Sequence, residues 1–304
     1  MTSHVIAGGM EASYRQGMAT TMRTIAGSTR ERSIGDLLRQ WRERRRLSQL
    51  ALALDAEVST RHLSFLETGK AHPSRAMLLR LAERLDIPLR ERNTMLLAAG
   101  FAPAYPERGL DDPALGIARA AIDRVLAGHE PFPALAIDRY WRLIAANRVV
   151  PALLTEVAPN LLQPPINVLR LSLHPRGLAP RIANLPQWRA HLLARLAHQV
   201  DVTADPPLAE LLAELRGYPG GEDGRSASPP HDDGLGGVAV PLRLETALGP
   251  LSFLSTTMVF GTPVDVTLAE LAIEAFFPAD AATAELLPQL MANDEKRERR
   301  TDDE

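Results

Sequence analysis

The sequence predicts an all-α unit of five short helices followed by an α+β domain with an antiparallel sheet. Three observations lead there. Between Ser33 and Gly100, apolar residues recur at helical spacing in short runs, most of them opened by a serine able to cap a helix. Beyond Pro131, strand-length runs alternate apolar and polar residues around turn signals. Charge divides along the same line. Residues 30–108 hold 15 basic and 10 acidic residues, a local +5 that leaves −8 on the remainder of a chain whose net charge is −3. That asymmetry suits a domain that binds a polyanion joined to an acidic partner domain.

The elements follow in order. Residues 1–30 carry Met1, Met10, Met18 and Met22 among Gly, Ser and Thr with no sustained apolar period, and are expected to be a disordered lead or an overlong start. Residues 31–100 form the helical unit. Ser33 caps a helix to Arg45 whose apolar positions are Ile34, Leu37, Leu38 and Trp41. Further helices are expected near 48–56, 59–67, 74–86 and 88–99, with Ser48, Ser59 and Ser74 as caps. Residues 101–130 read as a Pro/Gly-rich linker and a connecting helix from Pro113 to Leu126.

Residues 131–292 form the second domain. Ala134–Ala146 places Leu135 and Ile137, then Trp141 and Leu143, in alternation around the polar turn Asp138-Arg139-Tyr140 and reads as strand, turn and strand, with Asn147 able to cap a short helix. Pro186–Val200 and Pro206–Arg216 read as helices, and Gly220–Gly237 as a mobile loop. Val238–Glu245 and Leu251–Val259 flank Gly249-Pro250 as a second hairpin, with Pro241 marking a sheet edge. Residues 268–277 are ambiguous, since Leu271, Ile273, Ala275 and Phe277 fit a strand while Thr267 followed by Glu270 resembles a capping box; they are assigned to a strand. A terminal helix runs from Asp280 to about Met291, and 293–304 is expected to be a charged disordered tail.

Composition narrows the function classes. The absence of cysteine removes disulfide scaffolds, thiol nucleophiles and cysteine-based zinc sites, and suits a cytoplasmic location. No apolar run is long enough for a membrane span and no secretory signal opens the chain, so no membrane partner is expected. His174, His191 and His198 have no ligand-like spacing, so no metal is expected. The sequence has no glycine-rich phosphate loop, no nucleophile elbow and no histidine paired with an evident carboxylate, so neither catalysis nor a cofactor is expected.

The informative stretch runs from Leu47 to Leu85. Two short helices can cross steeply only if a small residue, here Ala53, lies at their contact and Leu52, Val58, Leu63 and Leu66 fill the wedge. The second helix then has a free face, and the N-terminal residues of such a helix meet base edges in the major groove. On that face stand Ser59, Thr60, Arg61, His62, Ser64 and Phe65. Arg61 can fork onto guanine O6 and N7, while Thr60 and Phe65 can touch a thymine methyl. Gln49 and Ser59, at helix starts, and Lys70, just past the second helix, suit phosphate contacts that fix register. Arg44-Arg45-Arg46 is as readily a solvated face as a phosphate contact, and stays outside the candidate interface.

The segment 34–99 resembles the helix-turn-helix of lambda-repressor-like regulators of the xenobiotic-response-element (XRE) class. Within that class, Arg61-His62-Leu63-Ser64-Phe65-Leu66-Glu67-Thr68-Gly69 and Pro88-Leu89-Arg90-Glu91-Arg92-Asn93 resemble the branch that carries an MmyB-like ligand-binding domain. The second half agrees, through Asn167–Pro175, Trp188-Arg189-Ala190-His191 and Phe260–Asp265. The resemblance implies a lambda-repressor-like fold, a PAS-like second domain and an ion pair between Arg42 and Glu67 inside the first domain. Arg46 and Glu57 depart from it, since the class usually has glycine at both places.

The expected function is therefore sequence-specific binding of double-stranded DNA by a homodimer, with the second domain sensing a small apolar effector. Trp141, Trp188, Phe253 and Phe260 are candidate pocket residues, and Phe276 and Phe277 could join them, although aromatics so spaced are more often plain core. A protein-interaction or antitoxin-like adaptor that keeps the helix-turn-helix fold without ligand sensing is the alternative.

Overall fold

The computed structural model describes residues 33–220 and 239–302, with side chains described as far as Ala292. The expected lead at 1–30 lies outside the described residues, as does nearly all of the loop expected at 220–237.

Five helices form the first domain: α1 (Ile34–Arg44), α2 (Gln49–Asp55), α3 (Thr60–Glu67), α4 (Arg75–Arg84) and α5 (Leu89–Ala98). The first four begin as the sequence predicts, because a serine cap is a local device. Ser33, Ser48, Ser59 and Ser74 each accept a hydrogen bond from the backbone N–H three residues on. Leu38, Leu52, Leu63, Leu66, Leu78 and Leu81 are almost fully buried in one shared core, each contributing about 1.5–3 kcal/mol relative to exposure. Ala53 is buried where α2 meets α3, and a second small residue sets another crossing. A Cβ on Gly35 would come within 2.5 Å of the Leu66 carbonyl oxygen, so only glycine lets α1 lie against the end of α3.

All five helices end in the same way. Arg46, Glu57, Gly69, Asp86 and Gly100, each just past a helix, have φ between 46° and 79°. The N–H of the following residue returns to the carbonyl five residues earlier, as in Leu47 to Arg42, Val58 to Ala53 and Lys70 to Phe65. These are Schellman ends. At Arg46 and Glu57 the backbone takes the left-handed form that glycine would reach without strain.

Pro113–Leu115 forms one 3-10 turn and leads into α6 (Gly116–Gly128). The second domain then follows as β1 (Ala134–Ile137), β2 (Leu143–Ala146), α7 (Val149–Leu153), α8 (Val168–Leu173), α9 (Leu185–Thr203), α10 (Pro206–Arg216), β3 (Leu242–Thr246), β4 (Gly249–Val259), α11 (Val266–Ala269), β5 (Ala272–Pro278) and α12 (Ala281–Asp302). The five strands pair antiparallel in the order β2-β1-β5-β4-β3. Pro241 immediately precedes the edge strand β3, where a missing N–H costs no ladder bond. One face of the sheet joins Ile137, Leu244, Leu251 and Phe253 to the core formed with α9, α10 and α12. On the other face, Ala134, Ala136, Ile273 and Ala275 pack with Ile122 and Leu126 of α6.

Four expectations are corrected here. Residues 268–277 are not one strand: α11 comes first, because Asp265 caps it by accepting from Thr267 N–H, and β5 begins only at Ala272. Asn147 is no helix cap. Its buried side chain accepts from Ala134 N–H and donates to the Leu126 and Phe132 carbonyls, tying β1 to the end of α6. Trp141 leaves the hairpin alternation and lies in its turn at φ 62°, where Asp138 accepts from the N–H groups of Tyr140 and Arg142. The terminal helix passes Met291 and reaches Asp302, so most of the expected disordered tail is helical. Its Ala, Glu, Lys and Arg residues have high intrinsic helix propensity, which carries the helix past its packed part.

Candidate nucleic-acid interface and apolar hollow

The face opposite the first domain's core is where α3 stands out. Arg61, at its second residue, is exposed, Ser59 is exposed, and Thr60, His62 and Phe65 are half-buried. The Arg61 guanidinium lies 5.4 Å from the centre of the Phe65 ring and the exposed Lys70 ammonium 5.9 Å from it. Two cations thus share one ring, and neither has an ion-pair partner among the described residues. Their mutual repulsion would be relieved by an anion between them. The Ser59 hydroxyl accepts from His62 N–H, which leaves its own O–H to donate.

Behind this face lies a network of four side chains. Arg42 donates to both Glu67 oxygens, from Nε at 2.7 Å and from Nη2 at 2.9 Å. Gln49 donates to Oε2 at 2.8 Å, and Arg39 stands 3.6 Å away. Arg42 also donates to the Leu47 carbonyl, which fastens the end of α1 to the turn before α2. The Glu67 side chain has no exposed surface. Burial alone would push its carboxyl up, but the hydrogen bonds from Arg42 and Gln49 and the charges of Arg42 and Arg39 outweigh burial and hold it below the ordinary range. The pair implied by the resemblance is therefore present. Gln49, expected at phosphate, has its side-chain amide engaged with Glu67.

The arginine run is structural in part. Arg45 donates to the Leu85 and Asp86 carbonyls at the end of α4, and Arg44 donates to the Asp201 carbonyl in the second domain at 3.2 Å.

The four aromatic residues expected to line a pocket do not come together. Trp141, Trp188 and Phe253 are buried in the core on the helical side of the sheet. Their polar atoms are satisfied there: Trp141 Nε1 donates to Gln199 and Trp188 Nε1 to Ser172. Phe276 lies edge-on to Phe253, and Phe277 is 43% exposed beside His129. Phe260 borders an open hollow of about 230 Å³ on the opposite face of the sheet. Its walls are Ala121, Ile122 and Val125 of α6, the end of β4 at Met258 and Val259, and Leu271–Ile273 leading into β5, with Ala136 behind. No charged or hydroxyl side chain lines it. Sequence reading missed it because its walls are ordinary aliphatic residues from segments more than a hundred positions apart.

Among the described residues, no group of three His, Cys, Asp or Glu side chains is arranged to hold a metal ion, and no helix is long and apolar enough to cross a membrane.

Comparison with known families agrees with this arrangement. Residues 38–92 match the family model described as helix-turn-helix, and residues 118–290 match that of the MmyB-like transcription regulator ligand binding domain. No curated protein matches the chain. Both matched families are regulatory, one binding DNA and the other a ligand. The second match alone spans more than half of the sequence, and the chain belongs to the MmyB-like family of DNA-binding transcription regulators.

Proposed function

We propose that this protein is a cytoplasmic regulator that reads a specific DNA site as a homodimer and responds to a small apolar effector. The observation that carries the reading is the exposed Arg61, at the start of α3, beside Phe65 and Lys70 and without an acidic partner among the described residues. In this reading α3 enters the major groove and Arg61 takes guanine O6 and N7 in a bidentate contact. Thr60, His62 and Phe65 face the neighbouring bases, and Ser59, Lys70 and the start of α2 at Gln49 hold phosphates. One such helix covers only a few base pairs, so two copies on half-sites one helical turn apart supply the rest of the specificity.

A footprint on the protein's own promoter region, followed by mobility shifts, tests the reading. Arg61→Ala is expected to lose about 1–3 kcal/mol at the matching site and to relax discrimination there. Lys70→Ala should weaken all sequences alike and lower the salt slope by about 1. Arg61→Ala bound as tightly as the parent protein would remove the mechanism. Native mass spectrometry of the purified chain, expected to give twice the monomer mass, checks the dimer.

A further inference from the structure

We propose that the hollow beneath α6 is a binding site for an uncharged apolar molecule the size of a substituted benzene, and that its occupancy reaches the DNA-binding domain through Glu270 and Arg90. The DNA readout rests on the regulator reading above; the binding site itself does not.

Size and chemistry set the ligand class. An apolar cavity of about 150 Å³ suffices to hold benzene, so about 230 Å³ accommodates a ring with a short substituent. The lining offers no ion partner, and the strand backbones there pair with each other, Met258 with Ile273 and Val259 with Ala272. A charged ligand would lose its water with nothing to replace it. Val125 and Val259 at the rim are 38% and 68% exposed, and Met258 can reshape the wall as a ligand enters.

The same wall holds the first domain. Phe260 and Leu271 bracket a segment that contacts the helical unit and its linker through Asp265, Val266, Thr267 and Glu270. Asp265 pairs with Arg108 at 2.9 Å, Val266 N–H donates to the Pro106 carbonyl, and the Thr267 hydroxyl donates to the Arg108 carbonyl at 2.6 Å. Glu270, adjacent to the lining residue Leu271, accepts from Nε and Nη2 of Arg90 in α5 at 2.8 and 2.9 Å. Glu270 also accepts from Arg139, which in turn pairs with Asp205 beyond the end of α9. A bidentate pair tolerates little displacement. Spreading Leu271–Ile273 around a ligand therefore moves the carboxylate on which α5 is seated, and the ligand shifts DNA affinity by its preference between the two arrangements.

The test uses the full chain, ethylbenzene as probe and methionine labelled with ¹³C at the methyl group, the Met258 resonance being assigned with Met258→Leu. Ethylbenzene is expected to move the Met258 resonance and leave Met95, buried in the helical core, in place. Ala121→Trp, at an exposed wall position, should abolish that shift while the Met95 resonance reports an intact fold. Ethylbenzene should also change DNA affinity of the parent protein about fivefold or more, and Glu270→Gln should lose this response while keeping the Met258 shift. An unmoved Met258 resonance, or a shift that survives Ala121→Trp, overturns the site. A DNA response intact in Glu270→Gln overturns the route. Conversion of a dimer to a monomer by Ala121→Trp, with no ethylbenzene effect at Met258, would make the hollow an interface between copies and overturn the proposal. If the parent protein bound no DNA, the regulator reading would fall while the Met258 arm still decided the site.

Discussion

At the scale of single residues, Glu67 is the buried carboxylate on which three helices of the first domain meet. Its carboxylate is buried and takes three hydrogen bonds from Arg42 and Gln49. Its folded-state value is depressed, so its contribution is full above the unfolded value of about pH 4.3 and is lost as pH falls through the folded one. Urea midpoints measured from pH 6 downward should therefore fall more steeply for the parent protein than for Glu67→Gln, which has no carboxyl to protonate; parallel curves would refute this. Glu67→Ala at neutral pH leaves Arg42, whose side chain is only 11% exposed, without its partner, and should cost about 3 kcal/mol. Resemblance to the family pointed to the Arg42–Glu67 pair. Nothing in the spacing marks Gln49 as the third member, because positions 42, 49 and 67 lie on three helices and meet only when these cross.

At the scale of elements, helix starts were more legible than helix ends. A serine cap bonds a backbone group three residues away, so Ser33, Ser48, Ser59 and Ser74 announce their helices locally. The ends are equally regular, but Arg46, Glu57 and Asp86 hide three of them by occupying left-handed positions without being glycine. Replacing such a residue by glycine removes about 1 kcal/mol of strain. Glu57→Gly and Arg46→Gly should each raise the thermal midpoint of the chain by roughly 2–4 °C, measured by circular dichroism; a lowered midpoint would show that the side chain does something the backbone does not require. The assignment of 268–277 failed for the opposite reason. Ile273 and Ala275 do lie buried in β5, but Leu271 precedes the strand, Phe277 is exposed, and α11 ahead of it is fixed by Asp265 and by the docked segment at Pro106–Arg108, some 160 positions away.

At the scale of the whole molecule, the two halves are joined by charge. Arg90 is held by Glu270 and Glu107, and although burial works against its charge, these bonds keep the guanidinium well above its ordinary value. Arg108–Asp265 and Arg44 on the Asp201 carbonyl add two more ties. Domains joined by such contacts unfold together, whereas loosened ones unfold separately. Scanning calorimetry should show one transition for the parent protein and two for Arg90→Ala; a single unchanged transition in the variant would mean that the ties are incidental. The charge split along the chain pointed to two domains of opposite character, but which arginines would face the second domain was decided by how α1 and α5 lie against it.

The order and class of both domains, the caps of the first four helices, the exposed start of α3 and the edge position of β3 followed from the sequence, because each depends on neighbours within one turn or on a repeat of two or 3.6 residues. The placement of Trp141, Trp188 and Phe253 in core, the hollow beneath α6, the role of Asn147 as a tie and the Arg90–Glu270 seat required the tertiary structure. Each of these is a meeting of distant segments, and hydrophobicity, which says that a side chain is buried, does not say which neighbours will bury it.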